Sequence, residues 1–389
     1  MESTLHSTGV RLFGPGYPVF LAISGVVAGS SVVAILGIQI VLAAAGAVLI
    51  ALLTFRITGQ SRVALVAGTL HALSLSALGQ SAAFMAEALG LVLTLSGFLL
   101  YCRASVQGRL LEAALAGVVL GLAILTSSPA MILLLALPVL TLAHPSEPDE
   151  PWTATLRRRS PVWAVATAMM LFLPTLWIVH NRATYGVHYV RQIEAVNRIR
   201  SAAAFRLYQD GTPFETSMAE AGDSIRVQAE RLGNEHQAFE AVSVRVFEDA
   251  LLRNPWMCLA VYLGTIDDNV NTDDGVWLTQ FPHWQTALRH WKTVSETYLL
   301  RYRMLVLCLI GVWVLIRQKE KRLAWVLAGL FVIFALGAGV SPWQGNRLFY
   351  AGQIASSPLM AVAILAACDR VRSRLSHGRD TSPATQAAG

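Results

Sequence analysis

A carboxylate closes the stretch Gln80-Ser-Ala-Ala-Phe-Met-Ala-Glu87 at the outer end of an apolar run, where an unpartnered charge is costly and often functional. Glu87 is therefore a candidate catalytic residue, able to take a proton from an attacking hydroxyl; the alternative is a solvated or paired interfacial Glu. Arg347 opens the last apolar run, and its planar fork suits bidentate phosphate binding. Snorkelling toward headgroups is the competing role. His180 and Arg182 flank Asn181 at the end of another apolar run, where they could contact phosphate or simply anchor the interface. Tyr17, in Gly14-Pro-Gly-Tyr-Pro18, could line the mouth of a substrate groove or serve as an interfacial aromatic. Asp267-Asp-Asn-Val-Asn-Thr-Asp-Asp-Gly275 has oxygen ligands at calcium-like spacing, but its glycine sits late and no Glu closes the loop, so a solvated acidic turn is expected. His71 has small neighbours on an apolar helix and reads as a hydrogen-bonded structural histidine. These residues demand no cofactor, although a divalent metal is compatible with them, and no metal-ligating residues are assigned.

The elements that must position these groups are apolar. Hydrophobic residues make up 54% of the 389-residue chain and charged ones 14%, with a mean hydropathy of +0.52, so the bilayer is the expected solvent. The fold class expected is all-α, a polytopic transmembrane helical protein. The net charge of +6 sits in short clusters between apolar runs, which implies no nucleic-acid partner. Four cysteines without a Cys-x-x-Cys spacing define neither a disulfide framework nor a metal site.

Apolar runs cover Ser31–Phe55, Val63–Leu78, Ala82–Tyr101, Pro161–Val179, Met304–Ile316, Leu323–Val340 and Leu348–Ala367, while Leu111–Leu142 is interrupted at Thr126-Ser-Ser-Pro129. Arginines at both flanks of that interrupted run require it to cross twice or re-enter. The basic connections Arg56/Arg62, Arg103/Arg109, Arg157–Arg159, Arg317–Arg322 and Arg370–Arg374 then fall on one side, and the opposite connections are nearly uncharged. The pattern predicts about nine spans, with the C-terminus cytoplasmic and the N-terminus outside.

In domain terms, residues 1–180 form an N-terminal transmembrane module in which 16–28 is an outer interfacial helix. Residues 181–298 form an extracytoplasmic, mostly helical loop, 299–369 the C-terminal transmembrane helices and 370–389 a polar cytoplasmic tail, expected to be disordered over Ser373–Gly389. In the loop, Phe214–Leu232 and Gln237–Leu252 show helical periodicity, with Ile225, Val227, Leu232, Val242, Val246 and Leu251 expected inside. Trp256, Trp277, Trp284 and Trp291 suit a membrane-proximal surface.

Five stretches, in order, resemble the GT-C superfamily, in particular the bacterial relatives of dolichyl-phosphate-mannose protein mannosyltransferases and the aminoarabinose transferases. They are Gly14-Pro-Gly-Tyr-Pro-Val-Phe-Leu-Ala22; the Glu87 stretch; Gly121-Leu-Ala-Ile-Leu-Thr-Ser-Ser-Pro129; Leu173-Pro-Thr-Leu-Trp-Ile-Val-His-Asn-Arg-Ala-Thr-Tyr-Gly186; and Asn346-Arg-Leu-Phe-Tyr350 with Pro358. The resemblance implies a GT-C-like bundle in a bacterial inner membrane that transfers a sugar from a polyprenyl-phosphate donor to an extracytoplasmic glycan, lipid or protein acceptor. It also implies a carboxylate base and a cation for the leaving phosphate. The chain departs from the family pattern at Ser128, where a Lys or Arg usually precedes the proline. It also has no counterpart of the family's first helix and catalytic Asp loop, since Glu2 is the only carboxylate before Glu87. Two readings stand: a misplaced start of an active enzyme, or a 389-residue product that is a silent relative. The alternatives are a catalytically silent protein that binds lipid-linked sugars or scaffolds envelope-glycan assembly, and, third, a transporter or flippase.

Overall fold

The computed structural model describes residues 14–29, 31–74, 77, 85–127, 132–143, 150–271, 302–339 and 349–380, with 271 and 374–380 as backbone only. Helices α1 (Gly16–Ala28), α2 (Val32–Thr58), α3 (Ser61–Ala72), α4 (Glu87–Gln107), α5 (Leu110–Thr126), α6 (Leu133–Thr141) and α7 (Trp152–Tyr185) form the first part of the bundle. Helices α8 (Gln192–Asp210), α9 (Phe214–Leu232), α10 (Glu235–Arg253) and α11 (Pro255–Asn271) form a cap. Helices α12 (Arg303–Arg317), α13 (Lys321–Ala338) and α14 (Gln353–Asp380), the last preceded by a 3-10 turn at Tyr350–Gly352, complete the bundle. The described residues contain no strand.

Helix α2 shows why these segments are membrane elements. Gln39, Gly46, Ile50, Leu53 and Ile57 are buried along one face, while Val33, Val41, Val48 and Phe55 are exposed on the others. A helix that is apolar all round has its outer face in lipid. Among the described residues five helices, α2, α4, α7, α13 and Tyr350–Ser373, are long and apolar enough to cross a bilayer. The remaining apolar runs also form helices, but shorter ones, so helix length alone does not give the expected count of spans.

Contacts sort the helix ends into two groups. At one end Arg62 pairs with Asp369 at 3.2 Å, and Arg159 donates to Ser105 Oγ at 3.2 Å. At that same end Arg322 donates to Leu142 O at 2.8 Å, Glu150 O at 3.1 Å and Thr155 Oγ1 at 2.8 Å. Arg322 thereby serves an orphan carbonyl at the end of α6, the task of a cation at a helix C-terminus. The basic clusters are thus partly structural. Phe98, Tyr101, Leu95, Leu120, Ile124, Leu137 and Met170 fill the core between α4, α5, α6 and α7.

Several boundaries differ from expectation. Helix α7 begins at Trp152 and ends at Tyr185, so Arg157–Arg159 and His180–Arg182 are helical and the cap starts beyond them. A Pro-containing apolar run gives no sign of these polar extensions, which continue the same intrahelical ladder. Helix α14 runs to Asp380, past the start of the tail expected to be disordered. In the cap, Ile225 and Val242 are buried as expected and Val246 packs against them, whereas Val227, Leu232 and Leu251 are exposed. Each cap helix packs through one narrow face, and Val227 lies about 200° around the helix from Ile225.

Candidate functional site

The end of the bundle opposite the basic clusters gathers polar side chains from distant parts of the sequence. Gly14 and Gly16 let the Pro-Gly-Tyr-Pro turn lie directly on the end of α5. A Cβ on Gly14 would stand 2.1 Å from Leu125 O, and one on Gly16 would stand 2.3 Å from Thr126 Oγ1. No larger residue fits that approach. The turn delivers Tyr17 into the interior, where its hydroxyl accepts a hydrogen bond from Gln39 Nε2 at 3.1 Å. The same Gln39 amide donates to Met85 O at 2.9 Å, two residues before Glu87. One glutamine of α2 therefore ties the Pro-Gly-Tyr-Pro turn to the chain entering α4.

Glu87 is the first residue of α4 and is buried, at 7% exposure. The helix dipole favours a carboxylate at this position. Its charge couples to Tyr17, Tyr350 and Arg191. Arg191 immediately precedes α8 and is 2% exposed, with its stem 3.1 Å from the position of a Gly14 Cβ. Its Nε lies 3.7 Å from Glu194 Oε1, too far for a hydrogen bond. Nε and Nη2 both remain without hydrogen-bond partners among the described residues. Burial lowers the Arg191 pKa to about 10, while Glu194 and Glu87 act in the opposite direction. The guanidinium stays cationic at neutral pH, and a buried cation with idle donors favours an anion.

The segment leading to Arg191 is fixed by its own contacts. Gly186 closes α7 with φ 73°, Asn181 Nδ2 donates to Tyr189 O at 2.9 Å, and Trp177 Nε1 donates to Val190 O at 3.1 Å. The motif around His180 thus acts through Asn181 and Trp177. His180 and Arg182 themselves are exposed; the His180 ring packs 5.1 Å from Trp177 and the Arg182 carbonyl accepts from Gly186 N at 3.0 Å. Arg347 lies outside the described residues.

On the other flank, Tyr350 is buried beside His71, with ring centroids 5.7 Å apart. His71 Nδ1 is hydrogen-bonded to Gln353 Oε1, and Gln353 Nε2 donates to Ser74 Oγ at 3.0 Å. The structural role read for His71 fits this bonding. Asp267–Asn271 is the last turn of α11 rather than an open acidic loop, and the rest of that motif lies outside the described residues. No group of ligating side chains suited to a metal occurs among the described residues.

Sequence reading missed Arg191, Gln39 and Gln353. Gln39 carried a usable signal, being a lone amide inside a long apolar helix. Arg191 carried none, since an arginine beside a charged cap looks solvated until the fold buries it.

The described helices form an apolar bundle with a buried carboxylate, Glu87, and a buried guanidinium, Arg191, at one tip. Residues 13–178 match the family of dolichyl-phosphate-mannose-protein mannosyltransferases. An oligosaccharyltransferase of Archaeoglobus fulgidus, solved tethered to an acceptor peptide containing the NVT sequon, shares the fold with a TM-score of 0.50 at 16% identity, over 93% of this chain and 42% of that one. Its complex with Zn and sulfate matches with a TM-score of 0.50 at 15% identity, over 96% and 43%. The chain therefore spans less than half the length of those structures. No curated protein matches. The likeness to those solved structures shows the fold, and the family match covers residues 13–178, less than half of the chain.

Proposed function

We propose that this chain transfers a sugar from a polyprenyl-phosphate donor to an acceptor presented beneath the cap. The observation that carries this reading is Arg191, a buried cation with two unengaged donor groups, coupled to the buried Glu87. A donor phosphate would occupy the Arg191 donors. The acceptor oxygen attacks the anomeric carbon, and the bond from that carbon to the phosphate oxygen breaks with its electron pair leaving on phosphate. Glu87 takes the acceptor's proton. The developing phosphate charge is met by a guanidinium fixed in a low-dielectric site, where it acts more strongly than in water. Gln39 and Tyr17 hold the chain entering α4, and so set the position of Glu87.

The positive-inside pattern supports an extracytoplasmic position for this tip in a bacterial inner membrane, with a glycan, lipid or protein outside the cytoplasm as acceptor. A contribution from Arg347 to the phosphate site belongs to the same reading, whereas His180 and Arg182 act as exposed anchors of the interface.

The test uses the chain in bilayer nanodiscs with a radiolabelled polyprenyl-phosphate sugar and acceptor-containing membranes. The expected result is transfer that Glu87→Gln abolishes with donor binding retained, and donor binding that Arg191→Ala weakens. Binding without transfer in the parent chain would instead mark a silent lipid-linked-sugar binder. Neither binding nor transfer would overturn the assignment.

A further inference from the structure

The exposed faces of the cap helices differ in chemistry. Helix α9 exposes Glu215, Glu220, Asp223, Arg226 and Glu230, as a helix in water should. Helix α11 exposes Trp256, Leu259, Ala260, Leu263 and Gly264, and no charged residue stands between Arg253 and Asp267. Trp256 is 79% exposed, Leu263 52%, and Leu252, in the last turn of α10, 80%. The spacing 256, 259, 263 sets these side chains of α11 in one stripe. The same face borders a cavity of ≈ 240 Å³ whose wall includes Ala204, Met257, Ala260, Val261 and Gly264.

Helix α11 is fastened to the end of an apolar span. Tyr262 donates its hydroxyl proton to Leu336 O, and Asn269 Nδ2 donates to Ala338 O at 2.7 Å, so both bind carbonyls in the last turn of α13. The approach is close, because a Cβ on Gly339 would lie 2.6 Å from the Tyr262 ring. Helix α13 exposes Trp325, Val332 and Leu336, so the stripe on α11 continues an apolar belt that ends at Leu336.

We propose that α11 is seated in the lipid interface on the cap side of the membrane, with its exposed apolar stripe among the headgroup and upper acyl region. Water does not reward a face of this composition, whereas an interfacial helix buries it and keeps an indole at headgroup depth. The seating has a consequence for the site. Gln209 near the end of α8 donates to Ala250 O at 3.0 Å and to Cys258 Sγ at 3.5 Å, which fastens α8 to α10 and α11. A lipid-seated α11 therefore sets the depth at which Arg191, at the start of α8, meets a membrane-held ligand.

The experiment places nitroxide labels at Leu259→Cys, Leu263→Cys and, as an aqueous reference on α9, Val227→Cys. The background is the full chain with its exposed Cys368 replaced by Ser, in phosphatidylcholine–phosphatidylglycerol nanodiscs. Collision with oxygen, which partitions into lipid, is compared with collision with a water-soluble nickel chelate. At 259 and 263 the ratio of oxygen to nickel collisions is expected to be severalfold higher than at 227. Equal ratios, or shielding of 259 and 263 from both reagents as by a protein contact, would overturn the proposal. A label-free second measurement is quenching of tryptophan emission by shallow spin-labelled lipid, which should drop on Trp256→Phe; an unchanged quenched fraction would also overturn it. Neither readout depends on sugar transfer.

Discussion

At the scale of single residues, Arg191 and Glu87 make separable predictions. Arg191→Ala should weaken donor binding about 10- to 100-fold, the value of one or two charge-assisted hydrogen bonds in a dry site. Titration of polyprenyl-phosphate binding by calorimetry or filter retention checks this. Arg191→Lys should restore only part of it, because a point charge does not reproduce two idle guanidinium donors. The pH dependence has a definite sign. With its pKa lowered to about 10, Arg191 is cationic below that value and neutral above it. Donor affinity should therefore hold at neutral pH and fall as pH rises through about 10, less steeply once bound phosphate favours the cation. Affinity that rises across that range would contradict the phosphate role. Glu87→Gln should lower turnover by roughly 10²- to 10⁴-fold at nearly unchanged donor affinity, as loss of a general base does.

At the scale of elements, two joints hold the site. Gln39 spans α1, α2 and the chain entering α4 with two hydrogen bonds. Gln39→Leu should leave the Tyr17 hydroxyl and Met85 carbonyl buried and unpaired. The expected cost is about 1–3 kcal/mol per group, read as a lower unfolding temperature in detergent, together with reduced turnover. At the other end, Arg322 serves the α6 carbonyl end and the start of α7. Arg322→Ala should lower thermal stability by a similar amount per lost partner and leave donor affinity unchanged, because it sits at the opposite end from Arg191. These joints explain part of what the sequence concealed. The polar ends of α7 extend well beyond its apolar run because Arg159 finds Ser105 and Asn181 finds Tyr189. Neither partner can be read from α7 itself.

At the scale of the whole molecule, sidedness is the testable property. The basic clusters and the Glu87–Arg191 site occupy opposite ends of the same bundle, and exposed Cys368 lies next to Asp369, the partner of Arg62. With the basic end cytoplasmic, a membrane-impermeant thiol reagent should label Cys368 in inverted vesicles and not in intact spheroplasts. The reverse labelling would invert the proposed topology and put the site on the cytoplasmic side.

Sequence by itself determined that the chain is helical and lives in a bilayer, and that its basic residues collect on alternate connections. Apolar run length, Gly and Pro breaks and charge placement are local, and lipid and water respond to them directly. The Pro-Gly-Tyr-Pro turn and Glu87 were also legible, because a tight turn and an intramembrane carboxylate each stand out against an apolar background. Only the tertiary structure decided that Gln39 joins Tyr17 to the chain entering α4, that Glu87, Arg191 and Tyr350 are buried, and that Val227 and α11 turn apolar side chains outward. In a bilayer protein the interior and the surroundings are both apolar, so hydropathy does not say which face of a helix turns inward. Close approaches such as Gly14 on Leu125, and polar contacts such as Gln39 to Met85, settle that choice, and they join residues that no local pattern connects.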